Sequence, residues 1–386
     1  MLKKTRNVLH VANWYPNQWH EHEGVFVKEQ CDLFSNVVDV RLVNVQVRSG
    51  SRWFEFKKKQ YSETETGYYL LTRISKGKII ELLTTLLLLW VLKKEKANQY
   101  DLLHVHIAYP LLIHYRWWKR WIKTKVLISE HWTAYHFNFY LPENSPKLKA
   151  FKRIFQQQIP LIAVSNALLQ DIREFSGGAE FPGHVLPNVI DLAEFRYSEK
   201  KHLSGVPTFF TVNLWRDIKN PFPMLEGFLD LARSGERFKL IIGGYGPLLE
   251  KMQQFVSENK GCEAIKFTGA MNKTEIAEAL WDSDAYVFSS SYETFSVACA
   301  QALCCGVPLM GPSIPAIREY AGRKDMIIVP GNSAEGWENT IRQFLNEKPQ
   351  FDRQAISCRA VARFATAPIQ QRYGEILDAC LSELTS

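Results

Sequence analysis

The stretch from Asp284 to Pro308 contains the residues best placed to do chemistry. A short apolar run typical of a buried strand ends in serines at 289–291, and an amphipathic helical pattern begins near Phe295. A turn at the start of a helix offers free backbone N–H groups, which hold phosphate groups well. We therefore expect a diphosphate to bind the turn formed by Thr294, Phe295 and Ser296.

Two polar side chains flank this turn. Glu293 stands at the turn itself, where its carboxylate could accept hydrogen bonds from sugar hydroxyls. Gln301 follows eight residues later, which places it two helical turns along on nearly the same face. The alternative is an ordinary strand, cap and helix without a ligand.

Two cations follow the strand predicted over 208–213. Arg216 and Lys219 stand in the loop before the next predicted helix. Cations at the carboxyl end of a strand suit a diphosphate leaving group, whose negative charge grows in the transition state. The alternative for both residues is a solvated loop charge.

Three histidines lie on or just after predicted strands in the first half of the chain. His131 ends the strand over 126–129, whereas His104 and His106 alternate along the strand over 102–106. An imidazole at the carboxyl end of a strand suits hydrogen bonding to a sugar hydroxyl. We expect His131 in the active site, His106 as a weaker candidate, and His104 as a packed core residue.

The order of predicted elements indicates two α/β domains. Strands alternate with helices along both halves, a pattern that predicts parallel sheets covered on both faces. A polar stretch at 198–207 reads as a linker. We predict a first domain over 1–197, a second over 205–365 and a terminal helix over 366–386, which could cross back to the first domain. Ligands would bind outside the carboxyl ends of the strands.

The predicted helices and strands follow from short β-rich runs and longer helical patterns. In the first half, strands are predicted at 8–12, 38–47, 102–106, 126–129 and 161–164, with helices at 25–35, 79–97, 110–121, 147–157 and 166–175. In the second half, strands are predicted at 208–213, 238–243, 264–268, 284–289, 307–310 and 326–329. Helices are predicted there at 220–234, 246–259, 273–280, 295–305, 315–321 and 333–347.

Composition narrows the function classes. The 386 residues include 47 Lys and Arg against 40 Asp and Glu, a surplus of +7 that is too mild to indicate nucleic acid. The seven cysteines show neither a C-x-x-C pair nor histidine partners at zinc spacing, so we predict reduced thiols, no metal site and a cytoplasmic location. No signal peptide is expected. The apolar run Ile79–Leu92 is shorter than the roughly 20 residues that span a bilayer.

The stretch from 284 to 308 resembles the signature of family 4 retaining glycosyltransferases, in which two glutamates flank seven residues. The sequence matches that signature at Ser290, Glu293, Phe295, Ala302, Gly306 and Pro308, and it departs at Gln301, where the family has its second glutamate. Asn213–Lys219 resembles the family's arginine and lysine loop, with Leu214 where the strict pattern places the arginine.

Weaker matches extend the resemblance over nearly the whole chain. Gly243–Pro247 resembles the family's glycine turn after the second strand, and Asn13–Val25 resembles its glycine loop with only Gly24 kept. His131 matches the family's histidine segment. Glu319 is retained in a turn where Ile314 and Pro315 replace the family's glycines.

The resemblance implies a GT-B fold, with two Rossmann-like domains facing each other across a cleft, and a retaining transfer from a nucleotide-sugar donor to a saccharide or lipid-linked acceptor. It implies that Lys219 and Arg216 hold the diphosphate, that Glu293 binds the donor sugar and Gln301 the ribose, and that Gly24 approaches the donor phosphate. No Asp-x-Asp metal motif is present, so we expect metal-independent transfer. The alternatives are a nucleotide-sugar epimerase of similar fold and a non-catalytic nucleotide-sugar-binding subunit.

One further stretch suggests a lipid surface. Trp117, Trp118 and Trp121 alternate with Arg116, Lys119, Arg120, Lys123 and Lys125, and Lys93, Lys94 and Lys96 follow the apolar run. Tryptophan and basic residues together favour the headgroup zone of an anionic bilayer. We therefore predict peripheral binding at the inner face of a membrane. The alternative is a helix with a buried aromatic stripe and a solvated basic face.

Overall fold

The structure is a computed structural model that describes residues 6–20, 23–74, 77–199, 205–347 and 349–382. The chain forms two compact units. The first comprises Met1–Val189 and Thr366–Ser386, and the second comprises Ile190–Ala365. The segment after residue 365 therefore belongs to the first unit, and part of the predicted linker, 200–204, lies outside the described residues.

The first unit contains an eight-stranded sheet in the order β3-β4-β2-β1-β5-β6-β7-β8. All neighbouring strands are parallel except β3 and β4. The strands are β1 (Asn7–Ala12), β2 (Asp39–Ser49), β3 (Glu55–Gln60), β4 (Glu65–Thr72), β5 (Leu102–His106), β6 (Lys125–Glu130), β7 (Leu161–Ala163) and β8 (Gly183–Val185).

The second unit contains a six-stranded, fully parallel sheet in the order β11-β10-β9-β12-β13-β14. The order reverses between β9 and β12, which is the point where doubly wound sheets bind their ligands. The strands are β9 (Thr208–Leu214), β10 (Lys239–Tyr245), β11 (Ile265–Gly269), β12 (Ala285–Val287), β13 (Leu309–Gly311) and β14 (Met326–Ile328).

Thirteen α-helices lie within the described ranges. They are α1 (Val25–Phe34), α2 (Lys78–Lys94), α3 (Tyr115–Trp118), α4 (Pro146–Phe155), α5 (Asn166–Phe175), α6 (Pro221–Arg233), α7 (Leu249–Ser257), α8 (Lys273–Trp281), α9 (Val297–Cys304), α10 (Pro315–Arg318), α11 (Ala334–Glu347), α12 (Arg353–Phe364) and α13 (Thr366–Ser382).

The core of the first unit joins α1 and α13 to the sheet. Apolar residues of β1, β5 and β6 pack against both helices, and the ring of Phe34 on α1 stacks on Tyr373 of α13 at 3.6 Å between centroids. Lys125 holds the end of α13, because its ammonium donates to the carbonyls of Cys380 and Leu381 at 2.8 Å. A cation at the end of a helix satisfies carbonyls that have no partner within the helix.

The core of the second unit depends on close packing of α6 against α11. Trp337 is fully buried between them, and a Cβ atom on Gly227 would lie 2.6 Å from the Cβ atom of Trp337. Glycine at position 227 therefore sets the separation of the two helices. Pro221 opens α6, and Asn272 and Glu275 form a reciprocal cap at the start of α8.

The structure differs from the sequence predictions in several elements. Strands β3, β4 and β8 and helix α12 were not predicted. The predicted helix over 110–121 is a single turn, α3, followed by an irregular segment. Helix α2 matches its predicted position, but it exposes large apolar side chains at Ile79, Leu82, Leu86 and Trp90. None of the helices within the described ranges combines the length and the apolar character that a bilayer crossing requires.

Candidate functional site

The serine turn after β12 is tied to the loop after β9. Ser289 is buried and donates through Oγ to the carbonyl of Lys219 at 2.8 Å. Ser291 donates from its backbone N–H to the carbonyl of Ile218 at 2.9 Å. The two loops that the sequence singled out are therefore neighbours at the carboxyl end of this sheet, where the order of the strands reverses.

Lys219 and Glu293 form an ion pair between these loops. The Lys219 ammonium lies 2.5 Å from Glu293 Oε1, and the same oxygen accepts a 2.7 Å hydrogen bond from Ser290 Oγ. The two side chains are only 18% and 12% exposed. A cation and a carboxylate predicted to bind phosphate and sugar are thus held in contact, and a diphosphate that binds Lys219 must share it with Glu293 or displace Glu293.

The turn that follows Glu293 leads into α9. Ser296 has φ 68° and ψ 88°, a left-handed conformation, and Tyr320 Oη donates to the carbonyl of Phe295 at 2.6 Å. Neither the Phe295 nor the Ser296 amide donates to an acceptor among the described residues. Amides at the start of a helix that lack an acceptor within the protein suit an anion, and the binding of a diphosphate here stays a prediction.

Tyr320 was not singled out in the sequence. Its ring packs against Phe295 at 5.4 Å and its hydroxyl fixes the turn, so it holds the amides of the turn in place. Burial keeps the pKa of Tyr320 well above its ordinary value, so the hydroxyl stays protonated and remains a donor. Its position one residue after Glu319, in a stretch that was already noted, is the signal that could have indicated it.

The other predicted residues of the second unit differ in their exposure. Arg216 is exposed, and its side chain makes no ion pair within the described part of the chain. Gln301 is half-buried on α9. The glycine turn serves the protein's own chain: a Cβ atom on Gly244 would overlap the backbone of Asn213, and one on Gly246 would lie 2.5 Å from the Trp215 carbonyl oxygen.

The first unit positions Gly24 and His131 close to one another. Gly24 precedes α1 with φ 63°, and a Cβ atom there would overlap the backbone of Trp14, so the site requires glycine. His131 follows β6, and its ring lies 4.4 Å from that of Phe26, two residues after Gly24. Burial lowers the pKa of His131 to about 3. The imidazole is therefore neutral near pH 7 and can act through hydrogen bonds but not through charge.

The two strand histidines are both fully buried. His104 bonds the Tyr373 hydroxyl at 2.9 Å and Ser129 Oγ at 2.7 Å, so the prediction of a core residue is confirmed. His106, the weaker active-site candidate, was misjudged, because a side chain without solvent exposure on the sheet cannot meet a substrate there.

Glu130 is a buried carboxylic acid that the sequence prediction missed. It is fully buried beside His131, and its Oε1 accepts hydrogen bonds from the Ala108 amide at 2.7 Å and from the Tyr135 hydroxyl at 2.6 Å. Burial raises the pKa of Glu130 to about 7, and these hydrogen bonds oppose the shift. Glu130 therefore joins the segments after β5 and β6, and its charge changes near neutral pH.

Glu130→Gln should remove a pH dependence of stability. A folded-state pKa above the ordinary value of 4.5 means that ionisation opposes folding, so the Glu130 contribution to stability is present at low pH and is lost as pH rises through 7. We expect the wild-type free energy of unfolding to fall by about 2 kcal/mol relative to the variant between pH 5 and 8. Urea denaturation of both proteins across this range measures the difference, and a constant gap would contradict the assignment.

Two family models match the chain from residue 45 to residue 360 without a gap. The model described as Glycosyltransferase Family 4 matches residues 45–194, and the one described as Glycosyl transferases group 1 matches residues 195–360. The chain belongs to glycosyltransferase family 4. The resemblance noted in the sequence is thereby confirmed.

Known proteins similar to this family 4 chain are distant in sequence. Alpha-monoglucosyldiacylglycerol synthase of Streptococcus pneumoniae is 20% identical over 245 residues, which are 59% of this chain and 55% of that protein. The chain spans about half the length of the first curated relatives it matches.

Solved structures match over nearly the whole length. Sucrose-phosphate synthase of Thermosynechococcus elongatus has a TM-score of 0.73 at 15% identity, with 97% of this chain and 99% of that chain covered. The Anabaena HepE protein in complex with UDP and glucose has a TM-score of 0.71 at 14% identity, with 97% and 100% covered. The prediction of two doubly wound α/β domains of the GT-B type is confirmed.

The structure shows the effect of one departure from the family 4 pattern, the loss of the glycines at positions 314 and 315. Ile314, which stands where the family has a glycine, is buried, and Pro315 opens α10. The turn is therefore filled by the protein's own apolar side chain and leaves less room for a ligand to approach the backbone. Nothing in the structure explains Leu214 in place of the family's arginine.

The tryptophan-rich segment is divided between core and surface. Trp118 is fully buried, so its prediction as a membrane contact was wrong, whereas Trp117 and Trp121 are 38% and 53% exposed. Lys125 is engaged with the end of α13 and is likewise removed from the predicted basic patch. The single turn α3 cannot carry a continuous aromatic stripe, and for this reason the three indoles separate.

The exposed indoles join the exposed face of α2. Trp90, Trp117 and Trp121 line a groove of about 620 Å³ together with Lys93 and Lys96. The basic residues that flank Trp117 and Trp121 in the sequence are also exposed: Arg116, Lys119, Arg120 and Lys123. We call this set of residues the tryptophan–lysine surface.

Proposed function

We propose that the protein transfers a sugar, with retention of configuration, from a nucleotide-sugar donor to a saccharide or lipid-linked acceptor in glycan biosynthesis. The Lys219–Glu293 pair at the start of α9 is the observation that supports this proposal most directly. A largely buried cation and helix-start amides without an acceptor in the protein suit a diphosphate, and the carboxylate paired with the cation suits sugar hydroxyls. The similarity to HepE, which was crystallised with UDP and glucose, is consistent with such a donor.

Each of the two units contributes residues that would bind the nucleotide-sugar donor. Lys219, with Arg216 and the amides of Phe295 and Ser296, would hold the diphosphate and stabilise its charge as it leaves. Glu293 would orient the sugar and Gln301 would bind the ribose. In the first unit, Gly24 would let the phosphate approach the chain and the neutral His131 would bond a sugar or acceptor hydroxyl.

Protein cations would take the place of a metal ion at the diphosphate. The Lys219 ammonium bonds Glu293, and the Lys219 carbonyl accepts a hydrogen bond from Ser289 Oγ, so the cation is already positioned in the site. We therefore expect transfer to continue in the presence of a chelator. The prediction of chelator resistance applies to the sugar-transfer reaction only.

A panel of nucleotide sugars tests the proposal. A ligand that binds only the folded protein raises its melting temperature. Among UDP-, GDP-, ADP- and CMP-sugars, we expect those of one base to raise the melting temperature and those of the other three to leave it unchanged. The active donor is then incubated with acceptors, and the released diphosphate and the glycoside product are measured. The absence of any stabilising donor would contradict the proposal.

A non-catalytic donor-binding subunit remains a second candidate because Gln301, Leu214 and Ile314 each depart from the family pattern. Donor binding without transfer or slow donor hydrolysis would favour it over an enzyme. Turnover of the donor with a change of sugar configuration and no acceptor would instead favour an epimerase.

Gln301→Glu should strengthen nucleotide binding. The change restores the family's carboxylate, and a charged acceptor bonds a ribose diol more strongly than an amide does. We expect a gain of about 1 kcal/mol, roughly a fivefold lower Kd for the nucleoside diphosphate. Calorimetric titration measures this gain, with Gln254→Glu on the exposed face of α7 as the control. An unchanged Kd would place Gln301 outside the ribose site.

We also propose that the tryptophan–lysine surface binds the cytoplasmic face of an anionic membrane. Exposed indoles beside a row of lysines match the headgroup region, and each basic residue near such a surface contributes roughly 1 kcal/mol at low salt. A relative named for a diacylglycerol glycolipid is consistent with a lipid-linked acceptor.

The membrane proposal predicts that substitutions of exposed residues affect liposome binding, whereas substitution of the buried Trp118 affects stability. Replacing Lys119, Arg120 and Lys123 with Ser, or Trp117 and Trp121 with Ala, should abolish sedimentation with anionic liposomes and leave the melting temperature nearly unchanged, since all five side chains are exposed. Trp118→Ala should instead cost about 3–5 kcal/mol of stability, because that indole is buried. A stable triple-Ser variant that still sediments at low salt would exclude electrostatic binding.

A further inference from the structure

Two cavities of the first unit meet at the tryptophan–lysine surface. The first is the groove of about 620 Å³ that Trp90, Trp117 and Trp121 line, and the second is a cavity of about 690 Å³. The side chain of Trp117 lines both cavities, so they are direct neighbours. The surface therefore offers a single ligand two adjoining compartments.

The groove has a lining that suits an alkyl chain. Leu89, Leu92 and Ile122 line it together with the indoles of Trp90 and Trp121, which are 44% and 53% exposed. Removing exposed apolar surface from water is favourable, and the volume of the groove lies in the usual range of small-molecule sites. An alkyl chain in the groove would cover both indoles.

The second cavity has a lining of cationic and amide side chains. Arg116, Lys119 and Arg120 line it with Gln156 and Gln157, and the described residues of this lining include no carboxylate. None of the three cations forms an ion pair within the part of the chain that the structure describes. A cleft lined by charges of one sign attracts a ligand of the opposite sign, so this cavity favours an anionic group.

The number of cations favours a phosphomonoester as that group. A phosphomonoester carries a charge of about −1.5 to −2 at pH 7 and has three strong acceptor oxygens, whereas a phosphodiester or a sulfate ester carries a single charge. Each of the two guanidinium groups can donate two parallel hydrogen bonds to a phosphate, and the ammonium of Lys119 adds a third cation. Three unpaired cations therefore suit a dianion better than a monoanion.

We propose that the tryptophan–lysine surface holds a single membrane lipid with a phosphomonoester headgroup. The phosphate binds Arg116, Lys119 and Arg120, and one alkyl chain leaves the bilayer and lies in the groove beyond Trp117. This inference rests on the membrane binding proposed above and adds to it a chemical preference. Anionic lipids with a phosphodiester headgroup would attract the surface through charge alone.

Water-soluble amphiphiles distinguish a site for one lipid from general attraction to a bilayer. The full-length protein is titrated by calorimetry with n-decyl phosphate, n-octyl phosphate, n-decyl sulfate and inorganic phosphate, each below its micelle-forming concentration. We expect n-decyl phosphate to bind with saturation at one molecule per chain. Each buried methylene strengthens binding by about fourfold, so n-octyl phosphate should bind about 15-fold more weakly and inorganic phosphate more than about 100-fold more weakly.

The titrations also measure the preference for the headgroup. We expect n-decyl sulfate, which has the same chain and a single charge, to bind about tenfold more weakly than n-decyl phosphate, because one charge-assisted interaction is lost. A matched pair of liposomes repeats this comparison in a bilayer. Phosphatidic acid and phosphatidylglycerol are used at amounts that give equal surface potential, and the protein should sediment more completely with phosphatidic acid.

Two pairs of variants assign the two compartments. Leu89→Asp places a charge in the groove and should weaken binding of n-decyl phosphate by about tenfold or more, whereas Leu86→Asp, on the exposed face of α2 outside the groove, should leave it unchanged. Arg120→Gln should weaken it by about tenfold and reduce the preference over n-decyl sulfate. Lys58→Gln, an exposed lysine of β3, is the control with the same change in charge.

The wild-type titrations decide the outcome even if Leu89→Asp does not fold. Equal affinity for n-decyl phosphate and n-decyl sulfate would overturn the preference for a phosphomonoester. No saturable binding of n-decyl phosphate, in a protein that still sediments with anionic liposomes, would overturn the lipid site and leave the membrane proposal standing. No sedimentation with either kind of liposome would overturn both.

Discussion

Glu293→Gln is expected to lower sugar transfer by about 100-fold or more while leaving the affinity for the nucleoside diphosphate unchanged or improved. Loss of one well-placed group that acts on the reacting sugar costs about 10²–10³ in turnover in comparable sites. Glu293 Oε1 lies 2.5 Å from the Lys219 ammonium. A neutral amide releases that cation, so the diphosphate no longer competes with a carboxylate.

Transfer rate and affinity are measured separately, by product formation at saturating donor and by calorimetric titration of the diphosphate. Glu250→Gln, an exposed glutamate on α7, is the control that should match the wild type in both. An equal loss of diphosphate binding in Glu293→Gln would show that Glu293 belongs to the phosphate site and not to the sugar site.

Lys219→Ala is expected to produce the opposite pattern. It should weaken binding of donor and of free nucleoside diphosphate alike, by about 1.5–3 kcal/mol or roughly 10- to 150-fold in Kd, because a charge-assisted hydrogen bond to phosphate is lost. The change also leaves the mostly buried Glu293 carboxylate without its cation, and its negative charge then repels the diphosphate.

The double variant Lys219→Ala/Glu293→Gln separates these two causes. Affinity should recover in part if repulsion by Glu293 contributes, and it should stay at the level of Lys219→Ala if the lost hydrogen bond is the whole effect. Lys251→Ala, an exposed lysine of α7, is the control for general charge removal. Wild-type affinity in Lys219→Ala would remove Lys219 from the phosphate site.

The secondary structure of the second unit was predicted well because its strands, helices and the turn at Glu293 have clear local sequence signals. Each of its strands and most of its helices lie within a few residues of the predicted ranges, and the turn at Glu293 is set by its neighbours. Regular alternation of buried strands and amphipathic helices carries that information. The contact between Lys219 and Glu293 joins residues 74 positions apart and was not predicted. The rule that carboxyl ends of parallel strands share one edge predicted only that both loops lie at the same end of the sheet.

The first unit was predicted less completely for physical reasons. Strand β3 carries three successive lysines and lies at the sheet edge, where alternation of apolar residues is weak. Trp118 and Trp121 are three residues apart, yet they differ from fully buried to 53% exposed because the chain leaves the helix after one turn. Burial at such a site depends on tertiary packing and has no local signal.

The contact of Cys31 with His10 and His106 illustrates the same limit. Cys31 lies 21 positions from His10 and 75 positions from His106 in the sequence. Spacing along the chain therefore gave no sign that Cys31 contacts His10 and His106 in the core. Only the register of β1 on β5 and the placement of α1 bring the three side chains together.

The discontinuous first unit has a consequence for the order of synthesis. Its core includes Ile369, Tyr373, Ile376 and Leu377 of α13, which follow the whole of the second unit in the chain. At about 5–20 residues per second, a ribosome needs roughly 10–35 s to make the intervening residues. Throughout that interval Phe34 and its neighbours lack the helix that covers them. The nascent second unit can fold while the first still waits for α13, so the first half of the gene product is the last to become native.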